Sequence, residues 1–293
     1  MKTKTKETKI TKLLDKLHTD VDDFYNSETW ENYLKFMGMF RQRSVNNQLL
    51  IWFFGGVDTL QVMGYQQFIN KLNRIVVACT ECRAVAVKNC NCDEREAPQR
   101  IPQLAPMTYK KTNDAGEEEE KLYFREVTVF KYEDTEQLEG KEFIAPITNV
   151  VETLDFDVDN FSIMESKLLK IIEDNNFSHT YKDTGKEGLN GWCDFTNNEI
   201  VIQENLSQGQ TIKTTIHEIG HMFSHKDVEL MRAIKETEAE SIAYVVSNYL
   251  GLDTSNYSIG YVAGWSNNED FILKESVARV SKTSKLILDK LGI

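Results

Sequence analysis

The pentapeptide HEIGH at positions 217–221 constrains the fold of this chain more than any other feature. Its apolar neighbours recur at helical spacing, so we predict a helix that begins after an N-cap at Ser207. Residues i and i+4 of a helix lie on the same face, one turn apart. Two imidazoles placed in this way can hold one zinc ion, with the glutamate beside them. The spacing predicts His217 and His221 as metal ligands, and Glu218 as the base that takes a proton from water.

A catalytic zinc ion also needs a third protein ligand and an open fourth position. The next predicted helix, from about residue 229 to 250, carries Glu236 and Glu240 one turn apart. We favour Glu236 as the ligand and expect Glu240 to orient a histidine by a hydrogen bond, although Glu240 is its rival for the ligand position. We expect Glu238 to lie on a solvated face of this helix, and His225 to be exposed.

Two further parts of a peptidase site can be sought in the same half. A short strand is predicted at 199–203, after a loop at 188–196, and an edge strand at this place can align an extended peptide through its main chain. A tyrosine hydroxyl can donate a hydrogen bond to a tetrahedral oxyanion. The sequence leaves three candidates for this role, Tyr244, Tyr257 and Tyr261.

The distribution of charge separates the chain into two parts. The formal net charge is -12, which by itself argues against a nucleic-acid partner, because phosphate binding favours a basic surface. Residues 1–132 carry a net charge of +2 and residues 133–293 one of -14. Such a break indicates two modules with different partners. It excludes a nucleic-acid partner for the second module but not for the first.

Hydrophobic periodicity predicts an α+β fold, in which a small N-terminal α/β domain precedes a mainly helical domain with a short sheet. The first domain is expected to include a helix at 28–40 and, because of its prolines and acidic run, a long, mobile hairpin insertion at 89–120. The predicted bounds are 1–132 for the first domain, 133–155 for a linker and 156–293 for the second domain. The apolar runs are shorter than the roughly 18–20 residues of a membrane span, and the N-terminus lacks the apolar core of a signal peptide. We therefore expect a cytoplasmic protein with no membrane partner.

Several stretches of the chain resemble one known family. The segment 191–265 resembles HEIGH-type metallopeptidase domains of the ImmA/IrrE kind, and more closely the C-terminal domain of ArdC/LtrC-type antirestriction proteins of plasmids, phages and conjugative elements. The matching stretches are HEIGH, ETEAESIAYVV, GLDTSNYS and GYVAGWS, at 217–221, 236–246, 251–258 and 260–266. The family pattern places the third metal ligand at Glu236. It implies a zincin-like fold, with zinc as the cofactor, for the second domain.

The first half resembles the N-terminal domain of the same family at 34–67 and 124–130, so that the resemblance covers most of 28–132 and 188–290. It implies a module that binds single-stranded DNA. Such DNA is held by a basic groove and by aromatic rings that stack on its bases, although for each aromatic residue taken singly we favour a place in the core. The candidates for DNA binding are Arg41, Arg43, Ser44, Asn47, Trp52 and Tyr65.

Four cysteines within 14 residues depart from the family, which has a Gly/Lys-rich turn here. They are Cys79, Cys82, Cys90 and Cys92, and they offer the ligands of a second zinc site. Since the gap of 7 residues between the two pairs is short for structural zinc, we favour free thiols, with zinc and disulfides as alternatives. Cys193 is expected to be an unpaired thiol.

These observations predict a single-stranded-DNA-binding protein with a zinc-dependent metallopeptidase domain, which acts on a protein or peptide of unknown identity. The resemblance implies an antirestriction or DNA-transfer accessory factor of a mobile genetic element. One alternative is an ImmA-type site-specific metalloprotease that cleaves a repressor. The other is a non-catalytic single-stranded-DNA-binding protein.

Overall fold

The computed structural model describes residues 27–112, 118–146, 158–186, 188–252 and 270–293. Contacts between their Cα atoms divide them into two compact units. The first unit contains the described residues from 46 to 146, and the second contains those at 27–45 and from 158 onward. Helices and small sheets occur together along the chain, as the predicted α+β class requires.

The described helices are α1 (Ser27–Met39), α2 (Val45–Gly55), α3 (Tyr65–Leu72), α4 (Val158–Asp174), α5 (Gln208–Ser224), α6 (Arg232–Tyr249) and α7 (Asp270–Leu291). The described strands are β1 (Val62–Met63), β2 (Arg74–Val76), β3 (Ile101–Thr112), β4 (Glu118–Lys131), β5 (Thr135–Gln137), β6 (Ser178–Lys182), β7 (Gly191–Asp194) and β8 (Glu199–Gln203). None of the described helices combines the length and the apolar composition that crossing a membrane requires.

The first unit is built on a long antiparallel hairpin of β3 and β4, with β1 on the other side of β4. The segment 89–120, predicted as a hairpin insertion, contains β3 and the first residues of β4. Pro102 and Pro106 fit there since β3 is the edge strand, where a missing N–H group can face away from the partner strand. The strand β5 pairs with β2, so the first part of the predicted linker belongs to this unit.

The second unit contains a three-stranded sheet in the order β6, β8, β7, in which β8 is parallel to β6 and antiparallel to β7. Ile200, Val201 and Ile202 of β8 are fully buried. The strand predicted at 199–203 is thus present, but it is central rather than an edge. The edges are β6 and β7, and β7 lies within the segment 188–196 that the sequence predicted as a loop.

The helix α1 belongs to the second unit, whereas the sequence placed it in the first domain. Trp30 is fully buried and its indole N–H donates to Ser241 Oγ of α6 over 3.2 Å. The hydroxyl of Tyr244, also on α6, donates to Glu31 Oε1 of α1 over 2.7 Å. The apolar stripe of α1 was recognisable, but a stripe does not reveal which surface will cover it.

Candidate metal centre

The helix α5 presents the HEIGH segment to a cleft. Its N-cap is Ser207, as predicted, and the Ser207 hydroxyl accepts a hydrogen bond from the Gln210 N–H group over 3.4 Å. Three isoleucines on one face of the helix are fully buried and fix its rotation; they are Ile212, Ile216 and Ile219. His217 and His221 therefore turn toward the cleft and are only half-buried.

Three donor atoms from α5 and α6 converge on one point. His217 Nε2 and His221 Nε2 are 3.1 Å apart, and Glu236 Oε2 lies 3.5 Å from each of them. Tetrahedral ligands of a zinc ion, with bonds of 2.0–2.1 Å, are separated by about 3.3 Å. The three residues thus fit a zinc ion at its ordinary bond lengths, and they can hold it with one position left for water or substrate.

The charges of the cluster favour a cation. Hydrogen bonds from the two imidazoles hold the pKa of Glu236 well below its usual range. Burial opposes the charged form of His217, but Glu236 and Glu240 outweigh this effect and raise the pKa of His217 to about 9. Glu240 Oε2 lies 3.1 Å from His217 Nδ1, and Glu240 Oε1 lies 3.1 Å from Lys213 Nζ. In this geometry Glu240 contacts the outer nitrogen of His217, and Glu236 is the carboxylate that could share a metal ion with the two histidines.

A buried chain of polar groups runs behind His221. Its Nδ1 atom lies 2.8 Å from His225 Nδ1, and His225 Nε2 lies 3.0 Å from Glu238 Oε2. Glu238 accepts further hydrogen bonds from Arg279 Nη2, over 2.7 Å, and from Ser276 Oγ. His225 is 1% exposed and Glu238 is 0% exposed. The predictions that Glu238 is solvated and that His225 is exposed were therefore wrong.

The ionisation of Glu238 fixes the protons along this chain. Burial opposes the charged form, but hydrogen bonds from His225, Arg279 and Ser276 lower the pKa of Glu238 to about 2. An ionised Glu238 only accepts, so His225 Nε2 carries a proton. In the neutral imidazole with its proton there, Nδ1 accepts from His221 Nδ1, and His221 Nε2 then keeps a free lone pair for a metal ion.

Glu218 lies beside the three donors and is 4% exposed. Burial raises the pKa of its carboxyl to about 7, with a further increase from Glu236 and Glu240 and an opposing effect of His217. A Cβ atom on Gly191 of β7 would lie 3.1 Å from Glu218 Oε1 and 2.7 Å from the carbonyl oxygen of Val201. Glycine at this position therefore lets the edge strand approach the carboxylate closely.

These groups line a cleft of about 600 Å³ in the second unit. Gly191, Trp192 and Cys193 of the edge strand β7 form one wall, and Lys213 and Arg232 add positive charge. Burial raises the pKa of the Cys193 thiol to about 12, so this cysteine is a neutral thiol at neutral pH. The strand beside the metal position is therefore β7, not the segment 199–203 that the sequence indicated.

Comparison with known proteins identifies this architecture. No protein-family model matches the chain. The Mn(II)-bound crystal structure of the antirestriction protein ArdC from plasmid R388 aligns over 97% of this chain and 98% of that chain, with a TM-score of 0.52 and 13% sequence identity. The chain has the ArdC fold. The resemblance indicated by the sequence is thus confirmed at the level of the fold.

Two other similarities were found. The metal-free crystal structure of R388 ArdC aligns over 85% of each chain with a TM-score of 0.48 and 14% identity. An uncharacterised protein of Bacillus anthracis is 31% identical over 96 residues, which make up 31% of this chain and 16% of that protein. The chain thus matches only a small part of the length of this curated relative.

Of the three tyrosines predicted as possible oxyanion donors, the structure describes only Tyr244. Tyr244 is fully buried and donates to Glu31, and it is not among the residues that line the cleft. Tyr257 and Tyr261 lie outside the described residues.

The predicted DNA-binding residues fall in both units. In the second unit, Arg41 donates to Asp289 Oδ1 over 3.0 Å and to the Ile293 carbonyl over 2.7 Å, while Arg43 and Ser44 are exposed. In the first unit, the Asn47 amide donates to the Leu104 carbonyl over 3.0 Å, and its Oδ1 accepts from the Leu104 N–H group over 2.8 Å. Trp52 is half-buried and Tyr65 is 40% exposed. Arg41 and Asn47 therefore have structural partners inside the ArdC fold.

Sequence reasoning missed an aromatic pair on the hairpin of the first unit. The rings of Tyr109 and Tyr123 meet edge to face, with centroids 5.7 Å apart, and are 47% and 42% exposed. The register places Arg125, also exposed, on the same face of the hairpin. Alternation along β4 places Tyr123 and Arg125 on one face, but Tyr109 joins them only through the pairing register with β3.

The four clustered cysteines come together in the first unit. Their sulfur atoms all lie within 4.8 Å of one another, and none of the four forms a disulfide. Because the gap between the two cysteine pairs is short for structural zinc, the sequence favoured thiols that share no ion. In the structure the two pairs nevertheless lie together.

Proposed function

We propose that the second unit is a zinc-dependent metallopeptidase and that the first unit binds single-stranded DNA. The observation that supports the peptidase is the convergence of His217, His221 and Glu236 beside the buried Glu218, in an open cleft. The fold shared with R388 ArdC supports a role of the whole protein as an antirestriction or DNA-transfer accessory factor of a mobile genetic element.

The residues of the cleft have separate parts in the proposed reaction. Zinc bound to the two imidazoles and Glu236 would polarise a scissile carbonyl and lower the pKa of water. Glu218, with a pKa near neutrality, takes a proton from the attacking water and passes it to the leaving amine. The main chain of β7, at the edge of its sheet, can pair with an extended peptide and align it along the cleft.

The choice of metal follows from the donor atoms. Two imidazole nitrogens and a carboxylate suit zinc, and they also accept manganese, the metal in the R388 ArdC crystal. We propose zinc because the spacing of the three donors matches its tetrahedral bond geometry.

Digestion of a peptide library with the zinc-loaded protein tests the peptidase. Chemical labelling of new N-termini should reveal cleavage that disappears with a chelator. Absence of cleavage by protein shown to carry metal would contradict the peptidase and favour the non-catalytic alternative.

The DNA-binding part of the proposal is supported by the face of the hairpin that carries Tyr109, Tyr123 and Arg125. Exposed aromatic rings next to a cation are suited to stacking on unpaired bases, with the cation near a phosphate. The opposite face is acidic by comparison, since it carries Glu120, Glu126 and the Lys110–Glu118 ion pair. We therefore propose the tyrosine face as the one that contacts DNA.

The Tyr123→Ala variant is expected to bind a labelled single-stranded oligonucleotide about 5- to 150-fold more weakly, because one stacked base contributes about 1–3 kcal/mol. Fluorescence anisotropy over a salt series measures the affinity. Phe124→Ala is the matched control, since Phe124 is exposed on the opposite, acidic face of the same strand. Equal losses in both variants would contradict the assignment of the face. No binding by the parent protein at low salt would favour the repressor-cleaving protease.

A further inference from the structure

The four clustered cysteines lie in a segment of the first unit that has little regular structure of its own. After β2 the chain leaves the sheet, and between residues 77 and 100 it contains only the short 3₁₀ helix Val87–Asn89. Cys79 in this segment is fully buried, Cys90 and Cys92 are half-buried, and Cys82 is exposed. This segment therefore needs something other than a ladder of strand hydrogen bonds to fix its conformation.

The spacing of the sulfur atoms matches one ion at their centre. Cys79 Sγ lies 3.8 Å from Cys92 Sγ, and Cys82 Sγ lies 3.6 Å from Cys90 Sγ. Four thiolates at 2.3 Å from a tetrahedral zinc ion are separated by about 3.8 Å. All four sulfurs lie within 4.8 Å of one another, whereas two disulfides would require only two close pairs.

The surrounding main chain holds the cysteine pairs in place. The Ala78 N–H group donates to the Ala84 carbonyl over 2.7 Å, which closes the turn that contains Cys79 and Cys82. The 3₁₀ helix compacts the gap before Cys90, whose N–H group donates to the Val87 carbonyl over 3.1 Å. This local folding explains how a gap of 7 residues can serve a four-sulfur site.

Polar contacts anchor the same segment to the sheet of β2 and β5. Arg83 donates to Glu136 Oε1 over 2.6 Å and to the carbonyl oxygens of Glu133 and Thr135 over 2.7 Å. The Thr80 N–H group donates to the Glu96 carbonyl over 2.8 Å. The cysteine cluster is thus positioned by contacts that do not involve the sulfur atoms.

We propose that Cys79, Cys82, Cys90 and Cys92 together hold a structural zinc ion, which fixes the conformation of the segment 77–100. Four protein ligands leave no open position, so this ion has no part in hydrolysis. The site lies in the first unit and is independent of the metal cluster of the second unit. Its presence or absence leaves the proposed peptidase untouched.

Metal analysis of the full-length protein tests this site. The parent is expected to carry about two equivalents of zinc after desalting in reducing buffer, and His217→Ala/His221→Ala protein about one. Adding Cys82→Ser or Cys90→Ser to that double variant should remove the remaining zinc. Cys193→Ser in the same His217→Ala/His221→Ala background is the matched control, because Cys193 lies in the second unit and not in the cluster. It should leave the zinc content unchanged.

A second measurement needs no cysteine variant. Mercurial titration of His217→Ala/His221→Ala protein should release about one equivalent of zinc as four thiols react. After replacement of zinc by cobalt, the same protein should show the visible absorption of a tetrahedral tetrathiolate. Double-variant protein that is folded but holds no zinc, holds iron instead, or contains disulfides among the four cysteines would overturn the proposal.

Discussion

The Glu218→Gln variant is expected to bind zinc as tightly as the parent and to lose about 10²–10⁴-fold in the rate of peptide hydrolysis. Glutamine has nearly the same shape, so His217, His221 and Glu236 keep their places, but an amide cannot take a proton from water. The pKa of about 7 for Glu218 is set by burial, which marks it as a carboxyl suited to proton transfer near neutral pH. Cleavage rates on the same peptides, with metal content measured in parallel, check both halves of the expectation.

The matched control is Glu204→Gln, which changes an exposed glutamate directly after β8 in the same unit. It should leave both metal binding and hydrolysis at the parental level. Parental hydrolysis by Glu218→Gln protein would remove Glu218 from the mechanism. Loss of zinc in this variant would instead indicate that Glu218 is a metal ligand.

The second large effect is expected at the buried chain of groups behind His221. Glu238→Ala should lower the free energy of unfolding by about 3–5 kcal/mol, because it leaves the Arg279 guanidinium without its buried carboxylate partner. It should also weaken zinc binding by about 10- to 100-fold, since His225 no longer fixes the proton of His221. Urea unfolding of the metal-free protein and competition with a zinc chelator measure the two effects separately.

The pH dependence of the free energy of unfolding tests the same role of Glu238. The pKa of Glu238 is about 2 in the folded protein, below its ordinary value of 4.5. A lowered pKa stabilises the fold above pH 4.5, and this stabilisation is lost as the pH falls toward 2. The difference in unfolding free energy between parent and Glu238→Ala protein should therefore narrow over that interval.

Glu275→Ala is the control for this variant, because Glu275 also contacts Arg279, over 3.4 Å, but from an exposed position. An exposed ion pair contributes about 0–1 kcal/mol. Losses of equal size in the two variants would contradict the role assigned to burial at Glu238.

The parts of this site that the sequence could predict are those set by local rules. The N-cap Ser207 and the i, i+4 spacing of His217 and His221 depend on residues within one helix. The choice of Glu236, which lies on the next helix, follows from the family pattern.

The predictions that were wrong concern residues whose partners are distant in the sequence. Glu238 is buried because Arg279, 41 residues further on, supplies its counter-charge. The edge position of β7 depends on strand order, which no single strand reveals. That α1 belongs to the second unit could not be predicted either, because its apolar stripe fits more than one surface. The cysteine cluster required the turns around residues 78–84 and 87–90, which bring four sulfurs closer than linear spacing suggests.

X-ray diffraction data collected at the zinc absorption edge from crystals of the zinc-loaded protein test the central claim most directly. An anomalous peak is expected within about 2.0–2.2 Å of His217 Nε2, His221 Nε2 and a Glu236 carboxylate oxygen, with Glu240 on the outer nitrogen of His217. A zinc ion bonded to Glu240 instead of Glu236, or a cleft without an anomalous peak in zinc-saturated crystals, would contradict the account.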